Sequence, residues 1–240
     1  MSEHMALENL TVLDLTRVLA GPFCTMMLAD MGANVIKIEV PKGGDDTRSY
    51  PPFRAKNLNG ERESVYFANI NRNKKGITLN LKAPEGKEIF KELVKKADIV
   101  VENYRPGVMD KLGLGYDVLK EINPRIIYAA VSGFGCYGPY HLRPGYDILA
   151  QAMGGMMSIT GSKGGEPTRA GSALGDILGG LHVTIGILAA VNARTITGKG
   201  QRVDVSLMDS MIAATENTAL KYLETGNIPA PMGNRYAAVS

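Results

Sequence analysis

The chain has 240 residues, 45% of them hydrophobic and 21% charged, which is enough apolar mass for a substantial core and excludes an intrinsically disordered chain. Its formal charge of +3 is mildly basic and falls well short of the concentrated basic face of a nucleic-acid binder, so a small anionic ligand suits it better than a nucleic acid. Its apolar runs are interrupted below transmembrane length and the start, MSEHMALENL, lacks the pattern of a signal peptide, so a cytoplasmic protein with no membrane partner is expected.

In chain order, TVLDL (11–15) is a β-prone apolar run, RVLAGP supplies turn residues, and FCTMMLADM (23–31) has helical spacing. Gly32 closes that helix and NVIKIE (34–39) makes a second strand, which completes a β-α-β unit. The polar stretch 41–62 reads as a long loop. A strand at 77–81, a helix at 84–97 with Pro84 in its first turn, and a strand at 98–103 follow. Short helices ending near Leu112 and over 116–122 lead to a strand at 126–131, then to the Gly-, Pro- and Tyr-rich loop 132–147. A long helix from near Asp176 to about Arg194, a strand at 202–207, a helix over about 209–223 and a linker-like end complete the pattern. Alternating strands and helices predict an α/β fold with a Rossmann-like, doubly wound, mostly parallel sheet. The expected division is one large domain over 1–225, with 226–240 starting a linker to a small second domain not contained in this chain.

The first turn, TRVLAGPFC, lacks the G-x-G-x-x-G that lets backbone approach a pyrophosphate, although Glu39 stands where a ribose ligand would. NAD is therefore not expected, nor, without GxxxxGK[ST], is P-loop chemistry. Coenzyme A is the remaining nucleotide candidate. Groups suited to phosphate stand near the strands: the cations Arg17, then Arg72, Lys74, Lys75 and Lys82, then Arg105 and Lys111 with the neutral amide Asn103 in NYRPGVMDK. Cys24 and Cys136 have no CxxC partner, and His4, His141 and His182 form no pair at ligand spacing, so neither a disulfide framework nor a metal site is predicted.

Asp176 is the one charge in the apolar run GSALGDILGGLHVTIGILAA. It reads either as a first-turn acid complementing the helix dipole, or as a nucleophile with Gly175, Gly179 and Gly180 kept bare for a bulky substrate.

The runs NLTVLDLTRVLAGPFCTMMLADMGANVIKIE, NRNKKGITLNLK, DIVVENYRPGVMDKLGLGYDVLKEINPRIIYAAVSGFG, GPYHLRPGYDILAQAMGGMMSITG and GDILGGLHVTIGILAA with TGKGQRVDVSLMD resemble, in order, the family III CoA-transferases. That family includes formyl-CoA transferase, the carnitine CoA-transferases and the α-methylacyl-CoA racemases. The resemblance implies an interlocked homodimer, an acyl-CoA and a small carboxylic acid as substrates, and a nucleophilic aspartate at Asp176. The formyl-CoA transferase pattern within it maps CoA contacts onto Leu79, Lys82, Asn103, Tyr104, Val108, Lys111 and Leu112; Arg17 and Arg105 are added from the cations at the strand ends, and because positions 40 and 132 depart from that pattern the adenosine phosphates are expected on Arg72 or Lys75. Tyr146 matches the active-site tyrosine of formyl-CoA transferase, while Leu19, Val40 and Ser132 replace a glutamine, an arginine and a lysine of that enzyme. The implied reaction moves CoA from an acyl-CoA to a carboxylic acid through aspartyl anhydride and aspartyl-CoA thioester intermediates. The alternatives are a racemase-type epimerase and a truncated CoA-binding domain without turnover. A racemase pairs its aspartate with a histidine, and a tyrosine at 146, of ordinary pKa roughly 10, is a poor base in that place.

Overall fold

The computed structural model describes residues 4–55, 60 and 62–235. The loop reading at 56–59 and 61 and the linker reading at 236–240 lie outside the described residues. Six strands form one parallel sheet: β1 (Thr11–Asp14), β2 (Asn34–Glu39), β5 (Lys75–Thr78), β6 (Ile99–Glu102), β7 (Ile127–Ser132) and β8 (Arg202–Ser206), in spatial order β5-β2-β1-β6-β7-β8. This is the doubly wound order, and its direction reverses between β1 and β6. The strands over 99–102 and 127–132 are apolar runs because helices cover both their faces.

On one face, α1 (Ala20–Asp30) and α8 (Leu174–Thr197) pack with Val12, Val35, Ile99, Val101, Ile127 and Val131. On the other, α3 (Pro84–Val94), α4 (Val108–Lys111) and α5 (Tyr116–Ile122) enclose Leu13, Leu15, Ile38, Val100 and Ala130. Both clusters alternate along the same strands, as a period-two side-chain pattern requires.

Several boundaries differ from the sequence reading. The third sheet strand starts two residues early and ends at Thr78, because the Asn80 side chain accepts the Lys82 N–H and turns the chain. The polar stretch contains a 3-10 turn (Asp46–Ser49) and the hairpin strands β3 (Phe53–Arg54) and β4 (Glu63–Ser64). Helices α2 (Val65–Ile70), α6 (Asp147–Met153) and α7 (Met156–Ile159) follow from segments that carry too few turns for a period to show. The single helix expected over 209–223 is two, α9 (Leu207–Ala214) and α10 (Glu216–Thr225), broken where Glu216 adopts φ +42° and the Thr215 hydroxyl bonds back to Ile212 O.

α8 also corrects the membrane reading: over 24 residues, with mean hydropathy 1.8 in its most apolar window, it is long and apolar enough to cross a membrane by length and composition. Here it packs on α1 and the sheet. Gly179 and Gly180 of that helix serve this packing. A Cβ on Gly180 would stand 2.7 Å from Ala20 O, and one on Gly179 2.4 Å from Leu207 Cδ2.

Candidate active site

A helix that crosses between parallel strands runs antiparallel to them, so α8 begins at the carboxyl edge of the sheet, the edge where doubly wound folds bind ligands. Asp176 lies in its first turn, partly buried. The N-cap residue of the helix, Ala173, supplies no side-chain cap bond, and no group among the described residues hydrogen-bonds the Asp176 carboxylate. A capping role is therefore absent. Burial first, and the nearby Asp147 carboxylate second, push its pKa up from 3.8 to about 7. Asp147, in the first turn of α6, accepts the Gly175 N–H at 2.8 Å. Tyr146 precedes it and is 70% exposed. Tyr66 of α2 feels the charges of Asp176, Asp147 and Asp45, and after burial these raise its phenol to about 12.

The crevice at the reversal point is built by reciprocal bonds. Arg17 N donates to Asn103 Oδ1 at 2.8 Å and Asn103 Nδ2 donates to Arg17 O at 2.7 Å, which welds the loop after β1 to the loop after β6. Asp45 Oδ1 accepts the Val18 N–H at 3.2 Å and its Oδ2 pairs with the buried Lys37 at 2.9 Å, while Lys37 also donates to Thr16 O. Asp14 pairs with Lys74 at 3.1 Å and accepts from Thr16 and Thr25. These buried pairs hold Val18 at φ +66°, a conformation that a β-branched residue adopts only when its surroundings impose it.

The sheet brings Arg17, Leu79, Lys82, Asn103, Tyr104 and Arg105 to its carboxyl edge, with Val108, Lys111 and Leu112 on and just after α4. Arg17 donates to Asp46 at 2.6 Å, and Leu79, Tyr104 and Leu112 lean on the second core. Burial raises the Tyr104 phenol to about 12. Arg72 and Lys75 are not brought there: they sit at the amino edge, with Arg72 on Asp30 at the end of α1 and Lys75 on Asn34 at the start of β2. Lys74 and Glu39 have structural partners instead of ligands. Glu39 takes two bonds from Arg48, at 2.9 and 2.6 Å, and one from Asp45 N, which fills the position read as a ribose ligand. No cluster of three or more His, Cys, Asp or Glu placed to hold a metal occurs among the described residues.

The comparisons with known proteins fit this arrangement. The family described as CoA-transferase family III matches residues 7–240. The chain belongs to that family. It is 48% identical to acetyl-CoA:oxalate CoA-transferase of Acetobacter aceti over 95% of its length, and 46% identical to human succinyl-CoA:glutarate CoA-transferase over 93%. A CAIB/BAIF family protein of Brucella suis superposes with TM-score 0.93 at 45% identity over 98% of the chain. This family III chain spans 58% and 50% of those two relatives and 61% of that solved chain.

Sequence reasoning missed Asp147, Tyr66 and the Lys37–Asp45 pair. Asp147 stands in plain view beside Tyr146, but its helix is only seven residues long, and its contact with Gly175 spans 28 positions that no local pattern connects.

Proposed function

We propose that this chain carries the nucleophile and the CoA crevice of a family III enzyme that moves CoA from an acyl-CoA donor to a carboxylic acid. The observation that carries the reading is Asp176: a partly buried carboxylate without a hydrogen-bond partner among the described residues, at the ligand-binding edge of the sheet, with a pKa of about 7. A carboxylate in that state is more basic, and so more nucleophilic, than a solvated one. In the proposed sequence Asp176 attacks the thioester carbonyl, the C–S bond breaks, and CoA thiolate leaves an aspartyl mixed anhydride. The thiolate attacks the aspartyl carbonyl and releases the donor acid, giving an aspartyl-CoA thioester. The acceptor carboxylate attacks that thioester, and the returning thiolate attacks the acceptor acyl carbonyl and frees Asp176. Backbone N–H groups in the first turn of α8 are suited to the oxyanions that form.

CoA is assigned to the crevice between the welded loops, with Arg17, Lys82, Arg105 and Lys111 toward its phosphates and Leu79, Tyr104, Val108 and Leu112 as apolar contacts. Asn103 holds the loops in register. Tyr146 is assigned to the acyl pocket. The names of the relatives pair acyl-CoA donors with oxalate, glutarate or mesaconate, so a dicarboxylic acceptor is proposed here. Exposed Leu220 and Leu223 of α10, with exposed Ile228 lining a cavity of about 1020 Å³, support assembly with a second copy. The two free thiols, Cys24 and Cys136, fit a reducing cytoplasm.

The test is exchange: succinyl-CoA is incubated with isotopically labelled glutarate, mesaconate or oxalate, and labelled acyl-CoA is read by mass spectrometry. Transfer by the wild type and none by Asp176→Ala is expected. Transfer that survives in Asp176→Ala contradicts the proposal.

A further inference from the structure

Asp147 has two oxygens with separate partners. Oδ1 accepts the Gly175 N–H at 2.8 Å, and Oδ2 accepts the side-chain amide of Gln151, one turn further along α6, at 2.8 Å. Gln151 is fully buried, and its Oε1 accepts the Ala170 N–H at 2.8 Å. Two side chains of α6 therefore hold both the approach to α8 and its first turn, at a helix start that lacks a cap of its own. The approach is close: a Cβ on Gly175 would stand 3.2 Å from Asp147 Oδ1 and 3.1 Å from the Ala150 methyl, so a side chain there would press on both.

We propose that Asp147 is a positioning residue for the transfer reaction: by gripping the Gly175 amide it fixes the turn that carries Asp176 and keeps its own negative charge beside the nucleophile. This rests on Asp176 being the nucleophile. Among the described residues, the ionisable groups that interact with Asp176 are Asp147 on α6 and the Tyr66 phenol on α2; Ala20 and Phe23 of α1, and Leu207 of α9, pack on the next turn of α8 without adding a charge.

The arrangement favours acylation. When an Asp176 oxygen attacks the thioester carbonyl carbon, a C–O bond forms, the C–S bond breaks, and its electron pair leaves on the CoA thiolate. Asp176 thereby loses its charge, so the repulsion present in the free enzyme is absent from the acyl-enzyme. Asp147 raises the free carboxylate and leaves the intermediate alone, which is the differential effect that speeds a step.

The direct test is a carboxyl-carbon NMR titration of protein labelled at aspartate Cγ, with the Asp176 resonance assigned by its loss in Asp176→Asn. In Asp147→Asn the Asp176 midpoint is expected to fall by about one pH unit. An unchanged midpoint in folded Asp147→Asn overturns the proposal. Should that variant fail to fold, Asp147→Ser removes the same charge while keeping a hydroxyl acceptor for the Gly175 amide, and an unchanged midpoint there overturns it equally. Rates of aspartyl adduct formation separate the two readings: a shifted midpoint with no adduct on Asp176 in any form supports the positioning geometry and contradicts the nucleophile.

Discussion

Asp176 joins a liability in stability to a capacity for reaction. Its pKa is 3.8 in an unstructured chain and about 7 in the fold, so the folded state binds its proton more tightly. The stability this contributes is complete below pH about 4 and is lost as the pH rises through 7. Asp176→Asn is therefore expected to stabilise the chain at pH 8 by about 1–2 kcal/mol, less than the full linkage value because the group is partly solvated. Denaturant unfolding at pH 5 and pH 8 measures this, and a gain of equal size at both pH values contradicts it. Formation of the covalent adduct should rise with pH through a midpoint near 7, where the carboxylate becomes ionised; a rate flat from pH 5 to 8 rules out the raised pKa. Asp14, Glu39 and Asp45 have the opposite sign: ion pairs and hydrogen bonds outweigh burial and hold them below the ordinary carboxylate range, so their contribution is present above pH about 4 and lost on acidification.

At the scale of elements, the site depends on how closely α8 lies against α1 and α9. Gly180 permits that approach, since a methyl group there would meet the backbone oxygen of Ala20. Gly180→Ala is expected to destabilise the chain by about 2 kcal/mol and to displace the start of α8; thermal denaturation that shows no loss would contradict this account of the glycine. The loop after β1 depends instead on charge. Asp45→Ala strands the buried Lys37 ammonium and frees the Val18 amide, an expected loss of about 3 kcal/mol. Asp45→Ala with Lys37→Met should recover much of that stability without restoring CoA affinity, since Val18 is still released. Calorimetric titration with CoA separates the two effects.

Across the whole molecule, the sequence was most informative where chemistry repeats along the chain. The parallel sheet followed from apolar runs spaced by helical segments, and Asp176 stood out because a charge in an apolar run needs a reason. Position in space was less legible. Arg72 and Lys75 neighbour β5 in sequence, yet they face the edge opposite the crevice, because nothing in a cluster of cations tells which end of a strand it flanks. Asn103 engages both ends of its amide with Arg17, a pairing 86 residues apart that only the fold reveals. Asp147 escaped notice for the same reason. Long-range hydrogen bonds leave no periodic trace.

The measurement that bears most directly on the central claim is trapping of the aspartyl intermediate. The chain is incubated with succinyl-CoA and hydroxylamine, digested, and mapped by mass spectrometry beside Asp176→Asn. The account predicts a hydroxamate on the peptide carrying Asp176 in the wild type and on no peptide of the variant. A hydroxamate on another carboxylate, or transfer to an acceptor acid without any aspartyl adduct, would contradict it.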